Sequence, residues 1–97
     1  MAIIKNNKTL SAEALYHILK KEFADFVNSK LRSNLDIEYE HVYDVINILF
    51  PEIIAGIPFT ITVNEDELAI SNNAGESEYN TIVLEENLLE FLNQQVG

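Results

Sequence analysis

Phe59-Thr60-Ile61-Thr62-Val63 is the stretch that decides the fold class, because all five residues are β-branched or aromatic. Such residues are enriched in strands, and their alternation with threonine is typical of a strand with one buried face. Asn64-Glu65-Asp66-Glu67 follows as a polar turn, and Leu68-Ala69-Ile70 returns as a second strand. The sequence therefore predicts an antiparallel β-hairpin.

The chain after this hairpin is expected to hold one more strand and a helix. Residues 72–78 are polar and include a glycine, so they are predicted to form a loop. Residues 79–84 (YNTIVL) are predicted to be a third strand by the same β-branched composition. A short C-terminal helix is predicted from the spacing of Leu88, Leu89, Phe91 and Leu92.

The chain before the hairpin begins with a helical pattern. Ser11 is a plausible N-cap, and Glu13 would complement the helix dipole in the first turn. A helix over residues 12–33, with a bend or an end near residues 28–29, is predicted from the recurrence of Leu15, Leu19, Phe23, Phe26 and Leu31. The apolar residues 2–4 before it fit either an edge strand or a plug under this helix.

The middle of the chain changes its periodicity. Asp36, Glu38 and Glu40 alternate with Ile37 and Tyr39, which indicates an extended segment. A second N-terminal helix is then predicted from the helical spacing of Val42, Val45, Ile46, Leu49 and Phe50. Pro51 is predicted to end this helix. A turn with buried neighbours is expected at Gly56 and Pro58, flanked by Ile53, Ile54 and Ile57.

Together these elements predict an α+β domain in which helices and strands are segregated along the chain. Its small antiparallel sheet has three or more strands, packed with two N-terminal helices and a short C-terminal helix. Residues 1–97 are expected to form a single domain, because two domains of this total length would each be near the lower limit of independent folding.

Charge is distributed unevenly along the chain. All six basic residues lie within the first 32 positions, together with only three of the sixteen carboxylates. The other thirteen carboxylates lie between residues 33 and 97, where His41 is the only group that can become a cation. Such a surface repels nucleic acid and anionic membranes and attracts basic proteins. A bias toward acidic, soluble sequences would also raise the acidity, but it would not set so abrupt a boundary.

Several kinds of chemistry lack the residues they need. Without cysteine there is no disulfide, thiol nucleophile or thiolate metal site, and three glycines cannot form a phosphate-binding loop. We therefore expect a non-enzymatic protein with no cofactor and no metal. No apolar run approaches the roughly 18 residues of a membrane-spanning helix, and no signal peptide is recognisable, so a cytoplasmic location is expected.

The remaining polar candidates fit surface roles better than catalysis. His17 and His41 lie too far apart in sequence for a helical metal pair, and His41 is a candidate modulator because Glu38, Glu40 and Asp44 are near it in sequence. The acidic hairpin turn at residues 64–67 lacks the spacing of a calcium-binding loop, so a solvated turn is favoured over a weak calcium site.

The acidic residues themselves form the best functional candidate. On an extended chain Asp36, Glu38 and Glu40 would present carboxylates about 6.6 Å apart on one face. This spacing is of the order of the phosphate spacing along a nucleic-acid strand, which basic grooves are built to neutralise. Asp44 is predicted to continue the row one turn into the following helix. A secondary acidic pair with the same spacing is formed by Glu76 and Glu78. The simpler interpretation is that the alternation only turns apolar residues inward.

Glu38-Tyr39-Glu40-His41-Val42, leading toward Pro51, resembles the acidic segment of the uracil-DNA glycosylase inhibitors of phages and staphylococci. Residues 58–94 are also similar in pattern to the staphylococcal members, so the resemblance covers about half of the chain. The resemblance implies a phage or mobile-element protein that mimics DNA phosphates. Glu40 would be the main phosphate mimic, with Glu38 and Asp44 on either side of it. The resemblance also implies an apolar pocket for a hydrophobic residue of the glycosylase. His41 replaces the family's serine and would place a possible cation in the row.

Three interpretations of function follow. The first is an inhibitor that occupies the DNA-binding groove of a basic enzyme. The second is a non-enzymatic adaptor, assembly or immunity protein that binds a protein partner through an apolar face, with its acidity incidental. An adaptor would be marked by an exposed apolar patch at Ile53, Ile54, Ile57 and Phe59. The third, an enzyme, would depend on His41 and is the least favoured.

Overall fold

The computed structural model describes residues 2–74 and 81–96. These residues form one five-stranded antiparallel sheet in the order β1-β5-β4-β3-β2. The strands are β1 (Ala2–Lys5), β2 (Glu38–Val42), β3 (Val45–Leu49), β4 (Phe59–Val63) and β5 (Glu67–Asn72). The helical segments are α1 (Ala12–Ile18), a π-helical segment (Leu19–Phe23), α2 (Ala24–Leu31) and α3 (Thr81–Val96). The predicted α+β class and the predicted β4–β5 hairpin are confirmed.

The N-terminal strand forms one edge of the sheet. β1 pairs with β5, and Ile4 lies opposite Leu68 on the buried face. The apolar residues at the start of the chain are therefore an edge strand and not a plug under the helix. Ile3 alternates to the other face and is exposed.

The two faces of the sheet differ in burial. On the inner face the central strands contribute side chains that are almost fully buried: Ile46, Ile48, Phe59, Ile61, Leu68 and Ile70. On the outer face their neighbours Val45, Asn47 and Thr60 are half-buried and Thr62 is exposed. The helices therefore cover one face of the sheet and leave the other open, which we call the open face.

The first helical region begins where the sequence predicts. The Oγ of Ser11 accepts a hydrogen bond from the N–H of Ala14 at 3.1 Å, which is the N-cap geometry. The region ends at Leu31, because Arg32 takes a left-handed conformation with φ of 51° and its N–H donates to the carbonyl of Asn28. This is two residues before the predicted end, and the π-helical segment was not predicted.

The predicted helix at residues 42–50 is wrong. This segment forms the end of β2, a turn at Tyr43 and Asp44, and all of β3. Ile46 and Ile48 are buried, while Val45 and Leu49 are half-buried on the open face. Because both faces carry apolar residues, the period of two was obscured and a helical spacing fitted equally well.

The predicted third strand at residues 79–84 is wrong from Thr81 onward, because α3 begins there. Tyr79 and Asn80 lie outside the described residues. A continuous helical stripe, which outweighs the β-branched composition, is formed by the buried residues Leu84, Leu88, Phe91, Leu92 and Val96. The C-terminal helix is consequently longer than predicted.

Aromatic packing joins the helical layer. The ring of Phe91 on α3 lies 5.2 Å from that of Phe23 and 5.4 Å from that of Phe26. Such pairs add to the hydrophobic gain from burying each ring. This packing covers the inner face of the sheet, so the side chains of that face are not accessible to a partner.

Candidate partner-binding site at the edge strand

The predicted acidic row lies on β2, the second edge of the sheet. Asp36 precedes the strand, and Glu38, Glu40 and Val42 follow at every second position; all four are exposed. The side chains of a strand alternate between faces, so Glu38 and Glu40 share the open face about 6.6 Å apart along the strand. The extended segment and the exposure of its acids are therefore as predicted.

No basic side chain neutralises this row among residues 2–74 and 81–96. The ion pairs in this part of the chain join His17 to Glu13 and Lys30 to Glu90, on the helices. A further carboxylate instead approaches one end of the row, where Glu52 Oε1 accepts the backbone N–H of Asp36 at 3.1 Å. Sequence reasoning missed Glu52, because its position depends on how the chain after β3 returns toward the start of β2.

The open face next to the row has alternating polar and apolar stripes. Glu40 lies opposite Asn47, which lies opposite Thr60, and Thr60 donates to Asn47 Oδ1 at 2.9 Å. The parallel stripe begins at Val42, which is 57% exposed, and Val45; it is interrupted by the polar Thr62 before it reaches Ala69 and Ile3. The carboxylates therefore border a flat surface that mixes hydrogen-bonding and apolar groups.

His41 lies on the helical side of β2, away from the acidic row. Its ring centroid is 5.2 Å from that of Tyr16 on α1, and its Nε2 donates a hydrogen bond to the carbonyl of Tyr43 at 2.8 Å. Because strand side chains alternate, His41 projects opposite to Glu40. The expected intrusion of a cation into the row therefore does not occur.

Tyr43 occupies the tip of the β2–β3 hairpin. Its side chain is 91% exposed and its φ is 53°, a left-handed value that bulky residues seldom adopt. The hydrogen bond from His41 to its carbonyl helps to hold this turn. Sequence reasoning missed Tyr43, because the tip exists only if residues 42–50 form two strands.

Asp44 does not continue the row along a helix, because it is the second residue of the hairpin turn. Its carbonyl accepts the N–H of Val63 at 2.8 Å, and its exposed side chain lies at one end of β2. Asp44 is thus separated from Glu38 and Glu40, which lie along the strand, and from Asp36, which precedes it. Glu76 and Glu78, the predicted secondary pair, lie outside the described residues.

A cavity of about 480 Å³ opens beside Asp44. Ala12 and Val63 are its buried apolar lining residues, and Leu10 is half-buried. Glu65, like Asp44, is exposed at the cavity. The remaining lining residues, Thr9, Ser11 and Asn64, are polar. The cavity therefore mixes a small apolar lining with hydroxyl, amide and carboxylate groups.

Tyr39, the other inward residue of β2, buries its hydroxyl. The oxygen atom has no hydrogen-bond partner among the described residues. Burial raises the pKa of the Tyr39 phenol, because the charged form would lose its hydration. The group is therefore neutral at physiological pH and acts as packing rather than as a base.

The other sequence candidates lie apart from β2. In the hairpin turn the Oδ1 of Asn64 accepts the N–H groups of Asp66 and Glu67 at 2.9 and 2.7 Å, as in an Asx turn. His17 is exposed on α1. No cluster of three or more His, Cys, Asp or Glu residues able to hold a metal ion occurs in residues 2–74 and 81–96.

The apolar patch that would mark an adaptor is mostly internal. Ile54 and Phe59 are buried, Ile53 is half-buried, and Ile57 is 39% exposed. The other large apolar side chains that are exposed among the described residues are Ile3 and Val42 on the open face, Tyr43 at the hairpin tip and Ile82 on α3.

Comparison with known proteins finds no family model, no curated protein and no solved structure that matches the chain. Within the described part of the chain, no helix has the length and apolar character needed to cross a membrane.

Proposed function

We propose that this protein is an acidic inhibitor that binds the basic DNA-binding groove of a nucleic-acid enzyme, with carboxylates of β2 in place of DNA phosphates. The observation that carries the proposal is the acidic row: Glu38 and Glu40 are exposed at alternate positions of the edge strand β2, Asp36 is exposed two residues before Glu38, and none of the three has an ion pair in the described part of the chain. Carboxylates on a hydrogen-bonded strand keep their spacing, which is what phosphate mimicry requires. A cytoplasmic location and an origin in a phage or mobile element belong to the same proposal.

Two further features support a protein partner. The open face beside the row offers Val42 and the hairpin tip offers Tyr43, both exposed. Aromatic residues often carry most of the binding energy of an interface, while peripheral charges mainly set the association rate and its salt dependence. We assign the apolar pocket implied by the glycosylase-inhibitor resemblance to the cavity beside Asp44, because Ala12 and Val63 give this cavity a buried apolar lining.

The resemblance makes a uracil-DNA glycosylase the first target to test. Uracil excision from a labelled duplex by a bacterial glycosylase is measured while the protein is titrated at about 50 mM and about 200 mM salt. We expect stoichiometric inhibition at low salt and weaker inhibition at high salt. The double variant Glu38→Gln/Glu40→Gln should weaken inhibition at least ~10-fold, because it removes two charges from the contact.

A matched control separates the site from net charge. Glu85→Gln/Glu86→Gln removes the same charge from α3, which contacts β1 at the opposite edge of the sheet. It should inhibit like the parent protein. Equal weakening by both double variants would contradict β2 as the site, and no inhibition by excess protein at low salt would contradict the glycosylase as the target.

A second candidate function is an adaptor that binds through the open face. The exposed side chains of Ile3 and Val42, together with Tyr43 at the hairpin tip, favour it, because no helix covers this side of the sheet in the described structure. Binding of this kind buries apolar surface and depends little on salt. A partner whose affinity is unchanged between the two salt concentrations and insensitive to Glu38→Gln/Glu40→Gln would favour the adaptor. An immunity protein against a basic nuclease shares the charge argument of the first candidate.

A further inference from the structure

The outer edge of β2 presents backbone groups that the sheet does not use. Val42 and Val45 flank a two-residue turn and are paired, so their backbone groups bond to each other. Hydrogen bonding alternates along an antiparallel strand, which directs the N–H and C=O of Glu38 and Glu40 toward β3 as well. The N–H and C=O of Tyr39 and His41 therefore point away from the sheet.

This edge lacks the features that usually prevent further pairing. Exposed edge strands are commonly protected by proline, lysine, a bulge or a very short length. β1, at the other edge, has four residues and carries Lys5. β2 has five residues, EYEHV, with neither proline nor lysine, and its register with β3 is continuous. Within the described residues, the feature of β2 that opposes further pairing is the negative charge of Glu38 and Glu40.

That charge selects the strand that can be added. Toward an outer partner Glu38 and Glu40 occupy the non-hydrogen-bonded positions, where the Cα atoms of facing residues are only about 4.5 Å apart. Like charges at facing positions are destabilising and opposite charges are favourable. A second copy of β2 would bring carboxylates against this acidic edge, whereas a strand with Lys or Arg at alternate positions would place a cation opposite each glutamate.

We propose that the outer edge of β2 binds an extended basic segment of a partner protein by strand addition. The added strand bonds to the backbone of Tyr39 and His41 and places Lys or Arg side chains opposite Glu38 and Glu40. This inference rests on the proposed function for the basic character of the partner. It adds the binding mode, which is strand addition to β2. The packing of His41 against Tyr16 and its bond to Tyr43 keep the hairpin fixed before binding.

The test uses the whole protein and a synthetic nonapeptide of alternating lysine and valine, capped at both ends. Binding is followed by amide chemical shifts and by hydrogen exchange. We expect the largest shift changes at the amides of Tyr39 and His41, which also become protected from exchange. An analogue N-methylated at its valines keeps every charge but loses the N–H donors that would bond to the carbonyls of Tyr39 and His41. It should bind at least ~10-fold more weakly, a difference of about 1.4 kcal/mol.

Two variants show whether the glutamates select the peptide. Glu38→Gln/Glu40→Gln should weaken peptide binding, whereas Glu85→Gln/Glu86→Gln on α3 should leave it unchanged. Equal affinity for the two peptides would overturn strand addition and leave only a charge interaction. Strand addition would also be overturned if the unmethylated peptide did not bind at roughly 1 mM. Chemical shifts at Tyr39 that change with protein concentration in the absence of peptide would overturn it as well, because they would show that a second copy of the protein pairs with this edge.

The result is separable from the proposed function. Inhibition of the glycosylase without peptide binding would leave phosphate mimicry by side chains standing and remove strand addition. Peptide binding without inhibition would support a basic strand as the ligand of this edge and would contradict the glycosylase as the target.

Discussion

The hydroxyl of Tyr39 is buried without a hydrogen-bond partner among the described residues, while its ring packs against the core. Tyr39→Phe removes the hydroxyl and keeps the ring. An unsatisfied buried polar group costs about 1–3 kcal/mol, and the half-buried position of this side chain favours the lower end. We therefore expect the free energy of unfolding to rise by about 1 kcal/mol at neutral pH. In a domain of this size this corresponds to a melting temperature higher by about 4–8 °C.

The same residue gives the stability a dependence on alkaline pH. Burial raises the pKa of Tyr39 in the folded state above its value of 10.0 in the unfolded chain. As the pH rises past that value, the unfolded state loses the proton first, so it binds fewer protons than the folded state and the free energy of unfolding falls. The stability that the protonated phenol contributes is fully present below pH 10 and is lost progressively as the pH rises above this value. Tyr39→Phe should therefore lose less stability between about pH 10 and pH 11 than the parent protein.

Urea unfolding at several pH values measures both effects. Tyr43→Phe is the matched control, since it removes a hydroxyl from a side chain that is 91% exposed and should change stability by less than about 0.5 kcal/mol. A loss of stability in Tyr39→Phe would show that the hydroxyl is hydrogen-bonded. If the free energy of unfolding of Tyr39→Phe fell with rising alkaline pH as steeply as that of the parent protein, the phenol would be solvated in the folded state. Either result would refute the burial argument.

Substitutions at three other positions test contacts that stabilise the fold, by urea or thermal unfolding. Asn6→Ala should lower the free energy of unfolding by about 2–4 kcal/mol, because the buried amide donates to the carbonyls of Leu10 and Asn64 and accepts a hydrogen bond from the N–H of Leu10. A decrease of less than about 1 kcal/mol would contradict these hydrogen bonds. Ser11→Ala should cost about 1 kcal/mol through loss of the N-cap, whereas Ser11→Gly should cost only a few tenths, and equal costs would exclude the cap as the cause. Tyr43→Gly should leave stability unchanged or raise it by up to about 1 kcal/mol, because relief of the positive φ outweighs the entropy of glycine, and a clear loss would show that the ring has contacts.

The parts of the fold that sequence could predict are those with one buried face. The alternation in residues 59–63 and the N-cap at Ser11 were sufficient to place β4 and the start of α1. Residues 42–50 were misassigned because Val45 and Leu49 are apolar on the open face, so the burial of Ile46 and Ile48 did not stand out. For residues 81–84 the local β-branched composition predicts a strand, but the buried helical stripe that begins at Leu84 has the larger effect and makes them part of α3.

The acidic row could be predicted because it lies within one strand, where sequence order sets the geometry. The alternation placed Glu38 and Glu40 on one face correctly, and it also implies that His41 lies on the other. Glu52 and Tyr43 could not be placed, since the first depends on a contact across sixteen residues and the second on a turn within the misassigned segment. The edge position of β2 likewise depends on the strand order of the whole sheet.

Competition with DNA for one enzyme tests the central claim most directly. A fluorescent uracil-free duplex is bound to a bacterial uracil-DNA glycosylase, and its anisotropy is followed as the protein is added. We predict stoichiometric release of the duplex by the parent protein and by Glu85→Gln/Glu86→Gln, with release at least ~10-fold weaker for Glu38→Gln/Glu40→Gln. An anisotropy that stays constant, or one that rises as a ternary complex forms, would contradict occupation of the groove by the carboxylates of β2.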